Sequence, residues 1–194
     1  RAGKQIPRLH RHRVTAVLGN IDDLSERMWL EGLKQGVKEA PRVVWLSDGA
    51  RGLWRLFDER FQCHAIGILD FYHAAQNIWL GAKCWLDGRT IRCQDWFTDA
   101  RHRLRHGQAN DVLDDIEAAS KLSGLPDSAK KSLTKLYNYL DKHRDHIQYD
   151  KFKEMGVPIG SGLVESTCKW LIQQRFKGVG MRWSEEGFNH LLHL

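Results

Sequence analysis

Arg42–Val43–Val44–Trp45–Leu46–Ser47–Asp48–Gly49–Ala50, followed after a stretch of helical spacing by Cys63–His64–Ala65–Ile66–Gly67–Ile68–Leu69–Asp70, decides how this chain folds. Arg42 to Ser47 and Cys63 to Leu69 read as buried strands. The second is apolar almost throughout, as a strand with a parallel neighbour and cover on both faces is. Between them, Ala50 to Phe61 places Leu53, Trp54 and Phe57 on one side of a helix. A strand–helix–strand unit of this kind crosses over right-handed and leaves its strands parallel. Asp48 and Asp70 each end a strand. On adjacent strands they stand at one edge of the sheet, roughly 5 Å apart in the hydrogen-bonding direction. Open α/β sheets bind ligands at that carboxyl edge.

Working outward, Arg13 to Gly19 reads as a further short strand. Asp22 or Asp23 caps a helix running to about Glu39, and Pro41 ends it. After Asp70 the spacing turns helical: Tyr72 to Trp85, Ile91 to His106, Asp111 to Leu122 capped by Asn110, and Ser128 to Ile147, with a break at Gly124–Leu125–Pro126. The chain thus divides into an α/β core (residues 1–75), an all-helical insertion (76–157) and a return to the core (158–194). The return opens on Pro158–Ile159–Gly160–Ser161–Gly162–Leu163–Val164–Glu165–Ser166. Ser161 reads as the N-cap of a helix to about Phe176. Glu165 falls in its first turn, where the helix dipole keeps a carboxylate ionised. Gly178 and Gly180 turn the chain, and Ser184 caps a last helix.

With 194 residues, 42% of them apolar, and eight Trp, the chain can build one domain with a substantial core. A net charge of +6 and a pI near 9.2 favour a polyanionic partner. Basic residues cluster from Arg1 to Arg13, from Arg101 to His106, and from Arg175 through Lys177 to Arg182. Four scattered cysteines, Cys63, Cys84, Cys93 and Cys168, form no C-x-x-C pair and read as buried free thiols in a reducing cytosol. No apolar run is long enough to span a membrane. The chain starts on Arg1 and stops on Leu194 inside an apolar repeat, as a segment of a longer protein would.

Three carboxylates stand out, each with a plainer alternative. Asp48 precedes Gly49–Ala50, small residues that permit close approach of a metal or phosphate; it reads equally as a turn aspartate. Asp70 also reads as a helix cap, and Glu165 as a surface residue complementing the dipole. Lys169, one turn after Glu165, can pair with it or reach a phosphate. His73 reads first as a hydrogen-bonded histidine and second as a ligand. Trp183 reads as core ahead of a base-stacking surface.

Leu46–Ser47–Asp48–Gly49–Ala50, Ile68–Leu69–Asp70–Phe71–Tyr72–His73–Ala74–Ala75, the Pro158–Ser166 stretch and Gly180–Met181–Arg182–Trp183–Ser184 together resemble the DDE-type transposases of bacterial insertion sequences. The Kra and Lre groups, related to Mutator-like transposases, are the nearest in pattern, over Val43 to Leu194. The resemblance implies an RNase H-like fold interrupted by a helical insertion before the catalytic glutamate. It implies an enzyme dependent on Mg²⁺ (or Mn²⁺) that cuts DNA at transposon ends and joins the 3′-hydroxyl to target DNA. It further implies a homo-oligomer working in the bacterial cytoplasm at the nucleoid. The catalytic pair is Asp48 and Glu165, both metal ligands. Asp70–Phe71–Tyr72–His73 stands where the Mutator-like pattern has C-x-x-H, so Asp70 is a further ligand or a supporting residue, with His73 supporting. Lys169, Arg175, Lys177 and Arg182 bind DNA. The pattern's first aspartate belongs on a strand, whereas Asp22 and Asp23 stand at a helix start. The resemblance therefore puts that aspartate before Arg1 and makes the 194-residue piece inactive alone. Two alternatives remain open: an RNase H-like nuclease or resolvase, and a non-catalytic DNA-binding remnant.

Overall fold

The computed structural model describes residues 13–169 and 173–192, apart from the side chains of a few helical residues between 163 and 192. Strands β1 (Val44–Ser47) and β2 (Ile66–Leu69) pair in parallel, with Ser47 opposite Leu69. They are joined by α2 (Arg51–Leu56), which runs on into a π-helical turn, Phe57–Phe61. The expected strand–helix–strand unit is therefore present, and the described residues form a mixed α/β fold in which helix predominates. Ile68, Leu69 and Phe71 have no solvent exposure, in keeping with the continuous apolar run that predicted β2.

Arg13 to Gly19, expected as a strand, forms none. It has no ladder partner among the described residues, and Val14 and Leu18 stay exposed. Helix α1 spans Ile21–Lys34 and is capped by Asn20. The Asn20 side chain accepts from the amides of Asp22 and Asp23, and the Asp23 carboxylate accepts from the Asn20 amide in return. The aspartates expected as caps thus lie inside the first turn. The helix stops short of Glu39 because Gly36 adopts φ +75° and Val37 N–H closes on Gly32 O.

Beyond β2 come α3 (Phe71–Leu86), α4 (Ile91–Arg105), α5 (Ala109–Ser120), α6 (Asp127–Lys142) and α7 (Tyr149–Glu154), with a 3₁₀ turn, Arg144–His146, before α7. The helix expected to reach Ile147 breaks at His143, and α5 starts at Ala109 after Gln108 rather than on an Asn110 cap. After them come α8 (Gly162–Cys168), the short α9 (Gln174–Phe176) and α10 (Glu185–Leu192), where Gly187 N–H donates to the Ser184 hydroxyl. One apolar cluster runs from Val37 and Trp45 through Phe57, Ile68 and Phe71 to Leu104, Leu113, Leu133, Leu140 and Phe152. Sheet and helical block thus share a core.

The main chain of β2 alternates between its two sides. Ile66 and Asp70 donate toward β1, to Val43 O and Ser47 O. Gly67 and Leu69 face the other way, where helical side chains meet them: His146 Nδ1–H donates to Gly67 O (3.0 Å) and the buried Tyr149 hydroxyl to Leu69 O (2.9 Å). An edge whose carbonyls are already satisfied does not recruit another strand. Cys63 and Cys84, expected buried, are exposed; Cys93 is buried. No described helix is long and apolar enough to cross a membrane.

His143, at the end of α6, is 3% exposed and packs on Trp54 with ring centroids 4.6 Å apart. Burial, with the nearby charges of His146 and Lys142, lowers its pKa from 6.5 to about 4. Between those values the unfolded chain takes up a proton that the folded chain refuses. Stability is therefore undiminished above pH 6.5 and falls as pH drops toward 4. Thermal melts of His143→Phe should show a flatter pH dependence across that window than the parent protein.

Candidate active site

The carboxyl ends of β1 and β2 carry Asp48 and Asp70, as the paired strands require. Asp48 is half-buried. Its Oδ1 accepts from Ala50 N–H (3.0 Å), an Asx turn that points the chain into α2, and its carbonyl accepts from the Trp54 indole (2.7 Å). No described hydrogen bond engages its second carboxylate oxygen.

Asp70 is fully buried and differently occupied. It caps α3, with Oδ1 accepting from the amides of Tyr72 (2.7 Å) and His73 (2.9 Å). Its Oδ2 accepts from the amide of Ser161, ninety-one positions along the chain. Beside that bond, Phe71 N–H donates to Ile159 O (2.9 Å), so two main-chain links fasten the Gly160–Ser161–Gly162 entry to the end of β2. Burial by itself would raise the Asp70 pKa. Hydrogen bonds from the Ser161 hydroxyl and from the amides of His73, Ser161 and Tyr72 outweigh it and hold the carboxyl below the ordinary range. Gly160 leaves room at this junction for the Tyr72 ring, which a Cβ there would meet at 2.6 Å.

The junction sets the start of α8. Ser161 occupies the N-cap position, but its hydroxyl makes no cap bond to the backbone; it lies 3.4 Å from Glu165 Oε1. His73 Nε2–H donates to the same oxygen at 3.2 Å, which fixes the ring proton on Nε2. Asp70, His73 and Glu165 are thereby joined through a single turn of α3 and a single turn of α8. The Glu165 side chain remains 61% exposed, with Oε2 outside every described hydrogen bond.

Tyr139, on α6, was not among the residues singled out from sequence. Its ring lies against Gly49, where a Cβ would come 2.6 Å from the hydroxyl oxygen. That hydroxyl is buried and has no hydrogen-bond partner among the described residues. Burial, and then the negative charges of Asp48 and Asp70, push its pKa up to about 12. It is a protonated donor beside two carboxylates. The only sequence signal was Gly49, which marks a close approach without naming what approaches.

Lys169, Lys177 and Arg182 are exposed and have no acidic partner among the described residues. The side chain of Arg175, like the whole of residues 1–12, lies outside the described part. Trp183 is 41% exposed; its indole donates to Phe176 O (3.0 Å), and its ring packs edge-on against Phe176.

The donor chemistry suits a hard divalent cation in kind, since Asp48 and Glu165 each present a free carboxylate oxygen. Among the described residues no three His, Cys, Asp or Glu side chains gather closely enough to hold an ion unaided. Mg²⁺ commonly uses one or two carboxylates and takes its remaining ligands from water and substrate phosphate. The chain matches no protein-family model, no curated protein and no solved structure.

Asp70→Ala removes both the α3 cap and the link to Ser161. It should lower stability by about 3 kcal/mol in urea unfolding, more than a surface cap, with Asp70→Asn less damaging.

Proposed function

We propose that this chain carries part of the active site of a DDE-type transposase with an RNase H-like core, acting on DNA phosphodiesters at insertion-sequence ends. One observation carries the reading. The two strand-terminal aspartates leave adjacent, in-register parallel strands at the same end, and the helix bearing Glu165 is fastened to that end by Asp70 and Phe71.

In this reading the residues divide the work. Asp48 and Glu165 are the ligands for Mg²⁺ (or Mn²⁺), which when bound would supply Lewis-acid activation of the phosphodiester and of the attacking hydroxyl. Asp70, with three amides on its carboxylate, is the residue that aligns the two carboxylate-bearing segments. His73 is a positioning residue acting through Glu165 Oε1 and leaving Oε2 to the reaction. Lys169, Arg175, Lys177 and Arg182 hold backbone phosphates, in line with the net charge of +6. Water, and later a 3′-hydroxyl, attacks phosphorus in line while the opposite P–O bond breaks and the departing oxygen takes up a proton.

Strand cleavage and joining by the intact gene product on end-bearing DNA test the reading. Asp48→Asn and Glu165→Gln should each cut the cleavage rate by more than about a hundredfold, as expected when several kcal/mol of charge stabilisation is lost. End binding should persist in both. His73→Ala should instead raise the Mg²⁺ concentration needed for half-maximal rate. Undiminished cleavage by both carboxylate variants refutes the assignment. Cleavage without joining identifies a nuclease or resolvase, and salt-sensitive binding without cleavage identifies a DNA-binding remnant.

A further inference from the structure

Leu136, Tyr139, Leu140 and His143 follow helical spacing along one face of α6, with His143 as its C-cap. Leu136 and Leu140 enter the core, while Tyr139 and His143 meet the segment that follows β1. That segment is held from three directions. Asp48 Oδ1 accepts from Ala50 N–H, the Trp54 indole donates to Asp48 O, and the Tyr139 ring lies on Gly49. His143 links the last two, its ring centroid 4.6 Å from that of Trp54 and 5.5 Å from that of Tyr139.

What these contacts leave over is complementary. The Tyr139 hydroxyl is buried and has no hydrogen-bond partner among the described residues, and no described hydrogen bond engages the second carboxylate oxygen of Asp48. A buried hydroxyl that donates to nothing is destabilising, so its presence calls for a role. The two groups are one residue apart. The hydroxyl oxygen stands 2.6 Å from where a Gly49 Cβ would be, hence within about 4 Å of the Gly49 Cα, and the Asp48 Cα is the next along the chain, about 3.8 Å away.

We propose that Tyr139 positions Asp48: its hydroxyl closes on the second carboxylate oxygen when a divalent ion is bound, and fixes the direction in which that carboxylate presents its lone pairs. The proposal rests on the reading of Asp48 as a metal ligand and extends that site to helix α6. Hydrogen bonds at such sites are often long in the unliganded protein and tighten in the complex, and ligating carboxylates are themselves held by outer donors. A phenol suits the task better than a cation. No described Lys, Arg or His side chain forms an ion pair with Asp48 or Asp70, so the sheet edge keeps its negative charge for an incoming ion. Burial and those two carboxylates keep the proton on Tyr139, with Asp48 the stronger of the two charges. The same surroundings oppose a nucleophilic tyrosine, which would have to shed that proton and reach phosphorus from a buried position.

The test follows thermal unfolding of the intact gene product in EDTA and across a series of Mn²⁺ concentrations. An ion that binds the folded chain raises Tm in step with its occupancy. Mn²⁺ should raise the Tm of the parent protein but not that of Asp48→Asn. Tyr139→Phe should melt no lower than the parent in EDTA, because it removes a buried donor that makes no bond, yet it should need about tenfold more Mn²⁺ for the same rise. 4-Aminophenylalanine at position 139, which keeps a donor, should restore the parent response. In cleavage assays the Tyr139→Phe defect should be largely recovered at saturating metal, whereas that of Asp48→Asn should not. A Mn²⁺ response unchanged in Tyr139→Phe but abolished in Asp48→Asn overturns the role of Tyr139 alone. No response in the parent, or one untouched by Asp48→Asn, overturns Asp48 as a ligand and Tyr139 with it.

Discussion

The buried carboxylate of Asp70 is the constraint on which the rest of the molecule depends. It is closed to solvent, yet it stays ionised because the Ser161 hydroxyl and main-chain amides from two distant segments converge on it. Two of those amides begin α3, and the third begins the turn into α8. An uncompensated charge at this depth would be prohibitive. The three donors are therefore a condition of folding as well as a consequence of it. The same arrangement sets Glu165 beside His73, so a structural necessity and a candidate chemical site share one set of hydrogen bonds.

The second element of the design is the helical cover of the sheet. Two short parallel strands are a weak unit by themselves. Here β2 lies at the centre of a common core, and its outward carbonyls are taken by His146 and Tyr149. On the far side of β1, Val44 and Leu46 make no backbone hydrogen bond among the described residues. The two edges of the sheet are thus unequal: one has its carbonyls taken by helical side chains, the other does not.

How much of this was legible in the sequence depended on whether a residue's partner was near it in the chain. The strand–helix–strand unit could be read because Val43–Leu46 and Ala65–Leu69 are continuous apolar runs, each ending on aspartate. The Glu165 turn could be read because Gly-Ser-Gly precedes it. Caps went wrong by a few positions, as with Asn20 in place of Asp22 or Asp23, because neighbouring polar residues compete for one geometry. The Arg13–Gly19 strand went wrong because β propensity says nothing about whether a partner is present. Tyr139, His143, His146 and Tyr149 were missed for a different reason. Each is a polar residue whose worth comes from a contact some eighty to ninety positions away in the chain. No local pattern distinguishes such a residue from a solvated one. Ser161 was placed at the right position but given the wrong bond, because its hydroxyl lies beside Glu165 and leaves the backbone uncapped.

The chain leaves the sheet at Asp70 and comes back to the same residue at Ser161, so the helices between them form a closed excursion pinned at its neck. Growth or trimming at the far end, around the α3–α4 and α5–α6 turns, need not disturb the neck. The bulk of the excursion can change in size and surface without loosening that neck. The stretch nearest the sheet, with Tyr139, His146 and Tyr149, has to keep its shape.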